Sequence, residues 1–296
     1  MVYRQASELD FAVEDLPALD PPRNVLFTRP DYFAVEYAIN PHMEGNIGAV
    51  DREESLHEWS TIVRLYRALG TDVTEIPGVE GLPDMLFCAN QTLPFVRPGT
   101  HERGVILSRM HAPQRAPEVE HYARFFREKG YEVISLPDSV SEFEGMGDAL
   151  WQPGRYLLWG GHGLRSNLSA YEAISGLLDV RVIALHLSDP DFYHLDTCLC
   201  PLDEATVLIY PGAFDRDGVE LIEAVFSRVV SAPEDEARNL FACNAHCPDG
   251  HNVILQAGCS RTIARLRDEG FNPIEVRTEE FLKAGGSVFC MKQMFW

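Results

Sequence analysis

The sequence predicts an α/β fold built from about five similar modules. Three observations carry this. Amphipathic segments long enough for helices recur five times, at intervals of roughly 40–65 residues. Short β-rich runs flank each of them. No low-complexity linker divides them, so the modules belong to one unit. A doubly wound sheet satisfies the same alternation, and periodicity does not separate the two.

The elements follow in order. Residues 1–22 are acidic and end in Pro21-Pro22; they are expected to be a mobile leader or to lie draped on the surface. Asp51–Gly70 reads as a helix, with Leu56, Trp59, Val63, Tyr66 and Leu69 at helical spacing and Gly70 at the stop. Comparable helices are expected over 117–129, 167–178, 218–230 and 260–269. Strands are expected at Met85–Cys88, Val105–Leu107, Val133–Leu136, Tyr156–Trp159 and Val180–Leu185. Val207–Tyr210, Asn239–Cys243, Val253–Gln256 and Val288–Met291 complete the set.

Composition narrows the function. With 296 residues and 46% hydrophobic content the chain can bury a sizeable core. A net charge of −20 repels nucleic acid and anionic lipid, so a cationic small molecule is the better partner. No apolar run approaches the roughly 18–20 residues that span a bilayer. The N-terminal stretch lacks the apolar centre of a signal peptide. Seven cysteines, an odd number without framework spacing, fit a reduced cytoplasmic setting.

Several clusters invite chemistry. Cys243, His246, Cys247 and His251 place soft ligands close together, but without the paired spacing of a zinc site. Cys243 ends an apolar run and reads as a core thiol. Asp215-Arg216-Asp217-Gly218 resembles a calcium-loop fragment without its later ligands, and a polar helix entry explains it better. Gly160-Gly161-His162-Gly163 lacks the spaced dinucleotide fingerprint and reads as a turn.

Four segments stand out more. Phe87-Cys88-Ala89-Asn90 delivers an amide from a strand into a loop. In Glu144-Gly145-Met146-Gly147-Asp148, two glycines between carboxylates let backbone approach closely and point both acids at a pocket. His194-Leu195-Asp196 puts two polar side chains on one face if the chain is extended. Gly285-Gly286-Ser287-Val288-Phe289-Cys290 is a hinge before a strand that carries a thiol. Taken singly, each is ordinary turn chemistry, a satisfied polar pair or core filler.

Together, in this order, the four segments resemble the guanidine-modifying, or amidinotransferase, superfamily, and most closely its arginine dihydrolase branch. The resemblance runs from about Val25 to Met291 and includes Tyr37–Asn46, Gly163–Ser166 and Phe241–Asn244. It implies a single catalytic domain over 23–296, a five-bladed α/β propeller of ββαβ modules known as the pentein fold. It implies Cys290 as nucleophile and His194 as general acid and base, with Glu144 and Asp196 as carboxylates that hold the guanidinium. Arg165 and Arg115 correspond to binders of the substrate α-carboxylate, and Asn40 to a pocket amide. Asp148 reads as a structural partner, and Asn244 lies in a matching block without an assigned role. Asn90 stands where many relatives carry an acid. His42 replaces a usual Trp, and Gln91-Thr92 replace small residues.

The implied chemistry is thiolate attack on the guanidinium carbon, loss of ammonia and hydrolysis of a covalent thiouronium. No metal or organic cofactor is expected. An arginine dihydrolase would attack the ureido product again and release ornithine, ammonia and carbon dioxide. The alternatives are a dimethylarginine hydrolase or arginine deiminase, both giving citrulline, and an amidinotransferase. An arginine-binding module without catalysis and a zinc-binding protein are the readings of a different class.

Overall fold

The computed structural model describes residues 1–100 and 102–296. Five small sheets carry the architecture. Asn24–Thr28, Arg103–Leu107, Leu157–His162, Thr206–Ile209 and Asn252–Gln256 are the middle strands or their equivalents. A helix follows each one and returns the chain to a parallel partner: Asp72–Ile76, Glu132–Ser135, Arg181–His186, Arg228–Ser231 and Asn272–Val276. On the other side of the middle strand lies a short antiparallel one, such as Thr92–Val96 or Leu199–Pro201. In the fifth module a single bridge, His246 to Ile254, takes its place. The first module is completed from the far end of the chain, where Gln293–Phe295 pairs antiparallel with Asn24–Thr28.

These contacts make the five-bladed α/β propeller. The segments before the innermost strands meet around its axis and bond from blade to blade. Met146 N donates to Ala89 O (2.7 Å), Leu195 N to Asp148 Oδ1 (3.1 Å) and Asn244 Nδ2 to Asp196 O (2.9 Å). Phe289 N donates to Asn244 O (3.1 Å), and Ala89 N to Cys290 O (3.2 Å), which closes the circle. Every blade thus delivers one polar turn to the same place.

The expected helices are Arg52–Ala68, Glu118–Glu128, Leu168–Leu178, Arg216–Val225 and Ser260–Asp268. Asp51 caps the first by accepting from Glu53 N and Glu54 N. Its buried face is Ser55, Trp59, Ile62, Val63 and Tyr66; Leu56 turns to solvent. Asp215 caps the fourth helix through Gly218 N (2.8 Å), which accounts for the calcium-like fragment.

Three expected strands are not strands. Pro83–Leu86 is a 3₁₀ turn that starts on a proline preset for it. Asn239–Cys243 overlaps the end of a helix, Glu234–Leu240, which stops at Phe241 in the left-handed region (φ 51°). Val288–Met291 is a buried turn. Gly160-Gly161-His162, expected as a turn, is instead the end of a strand; a Cβ at Gly160 would lie 2.5 Å from the Tyr171 ring. Of the leader, Val2–Tyr3 adds a parallel strand beside Arg181–His186, and Leu16 and Leu19 pack into the core.

Candidate active site

The turn between Glu144 and Asp148 shows how sequence becomes geometry. Gly145 has φ 53°, and a Cβ there would lie 2.7–2.9 Å from the carbonyl oxygens of Thr92, Asn90 and Ala89. A Cβ at Gly147 would lie 2.2 Å from Asn90 Nδ2 and 3.4 Å from the His194 ring. Glycine is required at both because three blades touch here. Asp148 is not in contact with the reacting groups. Its oxygens accept from Ser166 Oγ (2.6 Å) and Leu195 N (3.1 Å), so it ties the third blade to the fourth.

His194 and Asp196 leave their turn in different directions. The segment is not extended; His194 precedes a 3₁₀ turn, Leu195–Thr197. His194 Nε2 lies 2.6 Å from Glu144 Oε2, and Nδ1 lies 3.5 Å from Asn90 Nδ2. Asp196 Oδ2 lies 3.2 Å from Cys290 Sγ. Asp196 Oδ1 is buried without a partner, free to accept from a guanidinium.

Electrostatics divides the carboxylates. Burial pushes Glu144 up, but the hydrogen bond and charge of His194, with Arg165 and Arg115, outweigh it and hold Glu144 at about 2. Burial pushes Asp196 up to about 7, against the pull of the Cys290 hydrogen bond and Lys292. Burial, reinforced by Asp196, holds the Cys290 thiol well above its ordinary value. The thiol therefore rests protonated. A cation placed against both Cys290 and Asp196 offsets both penalties together and so favours the thiolate.

Cys290 is placed by a residue to which the sequence assigned no role. Asn244 Oδ1 accepts from Ser287 N, Phe289 N and Cys290 N (3.0, 3.2 and 3.3 Å). Its Nδ2 donates to Asp196 O and to Cys290 Sγ (2.9 and 3.2 Å).

Asn40, Asn90, Arg115, Arg165 and Cys290 line one cavity. Asn40 spends its amide on structure: Oδ1 caps the turn at His42 N and Met43 N, and Nδ2 donates to Ala284 O (3.0 Å). Arg165 Nη2 donates to Ile39 O (2.5 Å), and the guanidinium stacks on Tyr193 at 4.9 Å. Arg115 is buried against Glu118, with Nη2 to Oε2 at 3.0 Å, and Nη1 donates to Asn90 Oδ1 at 2.9 Å. Glu144, expected to grip the guanidinium, is turned onto His194, Arg165 and His111 N. His42 packs on Phe241 and bonds Asp191 O (2.9 Å), outside the cavity lining.

Sequence reasoning missed Asp84, Glu118 and Lys292. Asp84 lines the cavity; Tyr37 donates to its Oδ2 (2.7 Å) and its Oδ1 has no partner. Its signal was the Pro83-Asp84-Met85 run, which lies within the Val25–Met291 stretch that carries the resemblance. Lys292 is buried with an unpartnered Nζ 3.3 Å from the Phe289 ring centre, and burial brings it down to about 7. The Cys243 cluster does not converge: Cys243 is in the core, His246 Nδ1 pairs with Tyr66 Oη (2.7 Å), and no group of three or more metal-ligating side chains forms among the described residues.

A buried thiol beside a buried carboxylate and an imidazole oriented by a second carboxylate are the groups that nucleophilic cysteine chemistry uses. The chain belongs to the family described as N,N dimethylarginine dimethylhydrolase, eukaryotic, which it matches over residues 29–295. It is 37% identical over 270 residues to the bifunctional arginine dihydrolase/ornithine cyclodeaminase ArgZ of Synechocystis, covering 90% of this chain and 37% of ArgZ. The chain thus spans only about 37% of that relative's length. It is also 37% identical over 268 residues to the N(G),N(G)-dimethylarginine dimethylaminohydrolase of Mycobacterium tuberculosis, covering 90% and 84% of the two chains. The crystal structure of the N-terminal domain of ArgZ bound to substrate superposes with a TM-score of 0.85 at 35% identity, covering 92% of this chain and 97% of that one. Among the described residues, no helix is long and apolar enough to cross a membrane.

Proposed function

We propose that the chain hydrolyses the guanidinium of L-arginine twice, as an arginine dihydrolase. The observation that carries this is the orientation of Asn90. Its Oδ1 accepts from Arg115, so its N–H side faces the reacting centre beside His194. An N–H donor suits a neutral ureido oxygen; a carboxylate there would repel it.

The steps follow from the geometry. The guanidinium enters against Asp196, and Cys290 gives its proton to His194. Sγ attacks the guanidinium carbon, and His194 protonates the leaving nitrogen as ammonia departs. His194 next deprotonates a water, which attacks the thiouronium and releases Sγ and a ureido product. In the second round Sγ attacks the ureido carbon and a second ammonia leaves. Water hydrolyses the thiocarbamate to a carbamate, which loses carbon dioxide to give ornithine. One arginine and two waters become ornithine, two ammonia and one carbon dioxide. Arg165 offers a partner for the α-carboxylate and Asp84 Oδ1 one for the α-ammonium, which favours a free amino acid over agmatine. Seven free thiols suit a reducing, cytoplasmic setting.

Product analysis of purified protein with L-arginine tests the reading. Ornithine with about two ammonia per arginine supports it; citrulline with one ammonia overturns it. The family match and the mycobacterial relative favour one second reading, a dimethylarginine hydrolase, in which citrulline appears only from methylated arginine.

A further inference from the structure

A buried relay lies behind Asn90. Gln91 Nε2 donates to Glu118 Oε2 at 2.6 Å. Arg115 Nε donates to both Glu118 oxygens at 3.2 Å, and its Nη2 to Oε2 at 3.0 Å. Arg115 Nη2 also reaches the carbonyls of Asp84 and Phe87, while Nη1 holds Asn90 Oδ1 at 2.9 Å. Gln91, Glu118 and Arg115 are all buried, and Glu118 lies outside the cavity lining. Burial pushes Glu118 up to about 7 against the pull of Arg115, but every side-chain hydrogen bond onto its carboxylate comes from an N–H, so the ionised form is the one that fixes the arginine fork.

The direction of the last bond matters. Arg115 has donors only, so it accepts no other face of the Asn90 amide. A flipped amide would set N–H against N–H. On the far side Gly147 leaves no room for the amide to swing past: a Cβ there would already lie 2.2 Å from Nδ2. Asn90 is thus a polarised donor whose polarity is set two residues back in the relay.

We propose that Glu118 is a positioning residue that controls product commitment. Resting on the dihydrolase reading, it holds Arg115, and through it the N–H face of Asn90, so that the ureido intermediate stays for the second hydrolysis. Gln91 supports Glu118 in the same role. The first hydrolysis acts on a cation gripped by Asp196 and depends less on this donor; the second acts on a neutral group and depends on it heavily.

The test is partition. Wild type, Glu118→Gln and Gln91→Met are each given L-arginine and, separately, L-citrulline, and released citrulline and ornithine are counted. Glu118→Gln is expected to raise the citrulline-to-ornithine ratio from arginine by about tenfold or more. It should lower kcat/KM for citrulline by about tenfold more than for arginine. Gln91→Met is expected to move both in the same direction by less, and Glu118→Asp to recover part of the loss. A merely structural role would lower both steps together and leave the ratio where it was, which overturns the proposal. If Glu118→Gln does not fold, the ratio in Gln91→Met decides. Wild type that releases only citrulline overturns the dihydrolase reading and this inference with it. Wild type that releases ornithine, with an unchanged ratio in the variants, overturns this inference alone.

Discussion

Asn244 encloses Cys290 from two sides: its Oδ1 accepts from the cysteine's backbone N–H at 3.3 Å while its Nδ2 donates to the sulfur at 3.2 Å. One amide therefore sets both where the thiol sits and how much negative charge its sulfur can carry. Asn244→Ala strands two buried backbone N–H groups, those of Ser287 and Cys290, at about 1–3 kcal/mol each, while Phe289 N keeps its bond to the residue-244 carbonyl. We expect a lower Tm and kcat reduced by about 10²-fold or more. Asn244→Asp restores the acceptor but not the donor. It should recover much of the stability and little of the rate; thermal unfolding and kcat measured side by side separate the two roles.

Replacing Asn90 by Asp creates a carboxylate 2.9 Å from the Arg115 guanidinium, in the place of the amide oxygen. Arg115 would pair with it, and the ureido oxygen would face an acceptor. Products from L-arginine should shift from ornithine to citrulline, read by mass spectrometry. An unchanged ornithine yield would contradict the role given to this residue.

The resting thiol is held high by burial and by Asp196. Alkylation by neutral iodoacetamide should therefore rise with pH to a midpoint above the roughly 8.5 of a free thiol. A cationic amidine electrophile supplies the missing charge itself. Its inactivation should be faster and its midpoint lower. Identical profiles for the two reagents would mean that the thiolate exists before substrate arrives.

Glu144 titrates at about 2 in the folded protein and near 4.5 when free. A depressed carboxylate stabilises the fold above its unfolded pKa, and that contribution disappears as pH falls toward the folded value. The difference corresponds to roughly 3 kcal/mol. Urea unfolding of the wild type should therefore lose stability between about pH 4.5 and 2. Glu144→Gln should lose markedly less over that window, whatever its stability at pH 7.

The glycine spacing between Glu144 and Asp148 was legible because two glycines flanked by acids leave few explanations other than close approach. The helices were legible from their apolar stripes and caps. Asn239–Cys243 and Val288–Met291 were misread for one reason: turns buried at the propeller axis need apolar residues as much as strands do, and short runs do not distinguish them. Asn244 and Glu118 were beyond reach for another. Asn244 is 46 residues from the thiol it serves and Glu118 is 27 from Gln91, and nothing local in either segment announces the partner. Asn40 and Glu144 show the converse, since motifs singled them out while only the fold reveals what their polar atoms hold.

Closure of the first blade by Gln293–Phe295 has a temporal meaning. Cys290 lies three residues before a strand that pairs with Asn24–Thr28, so the contact spans 271 residues of chain between Asn24 and Phe295. Leader and tail are fastened as well, with Trp296 Nε1 donating to Asp20 O at 2.5 Å. The middle blades can assemble in turn, but the first blade is incomplete until Gln293–Phe295 reaches Asn24–Thr28. On the proposed chemistry, competence is therefore a property of the closed circle and of no single blade.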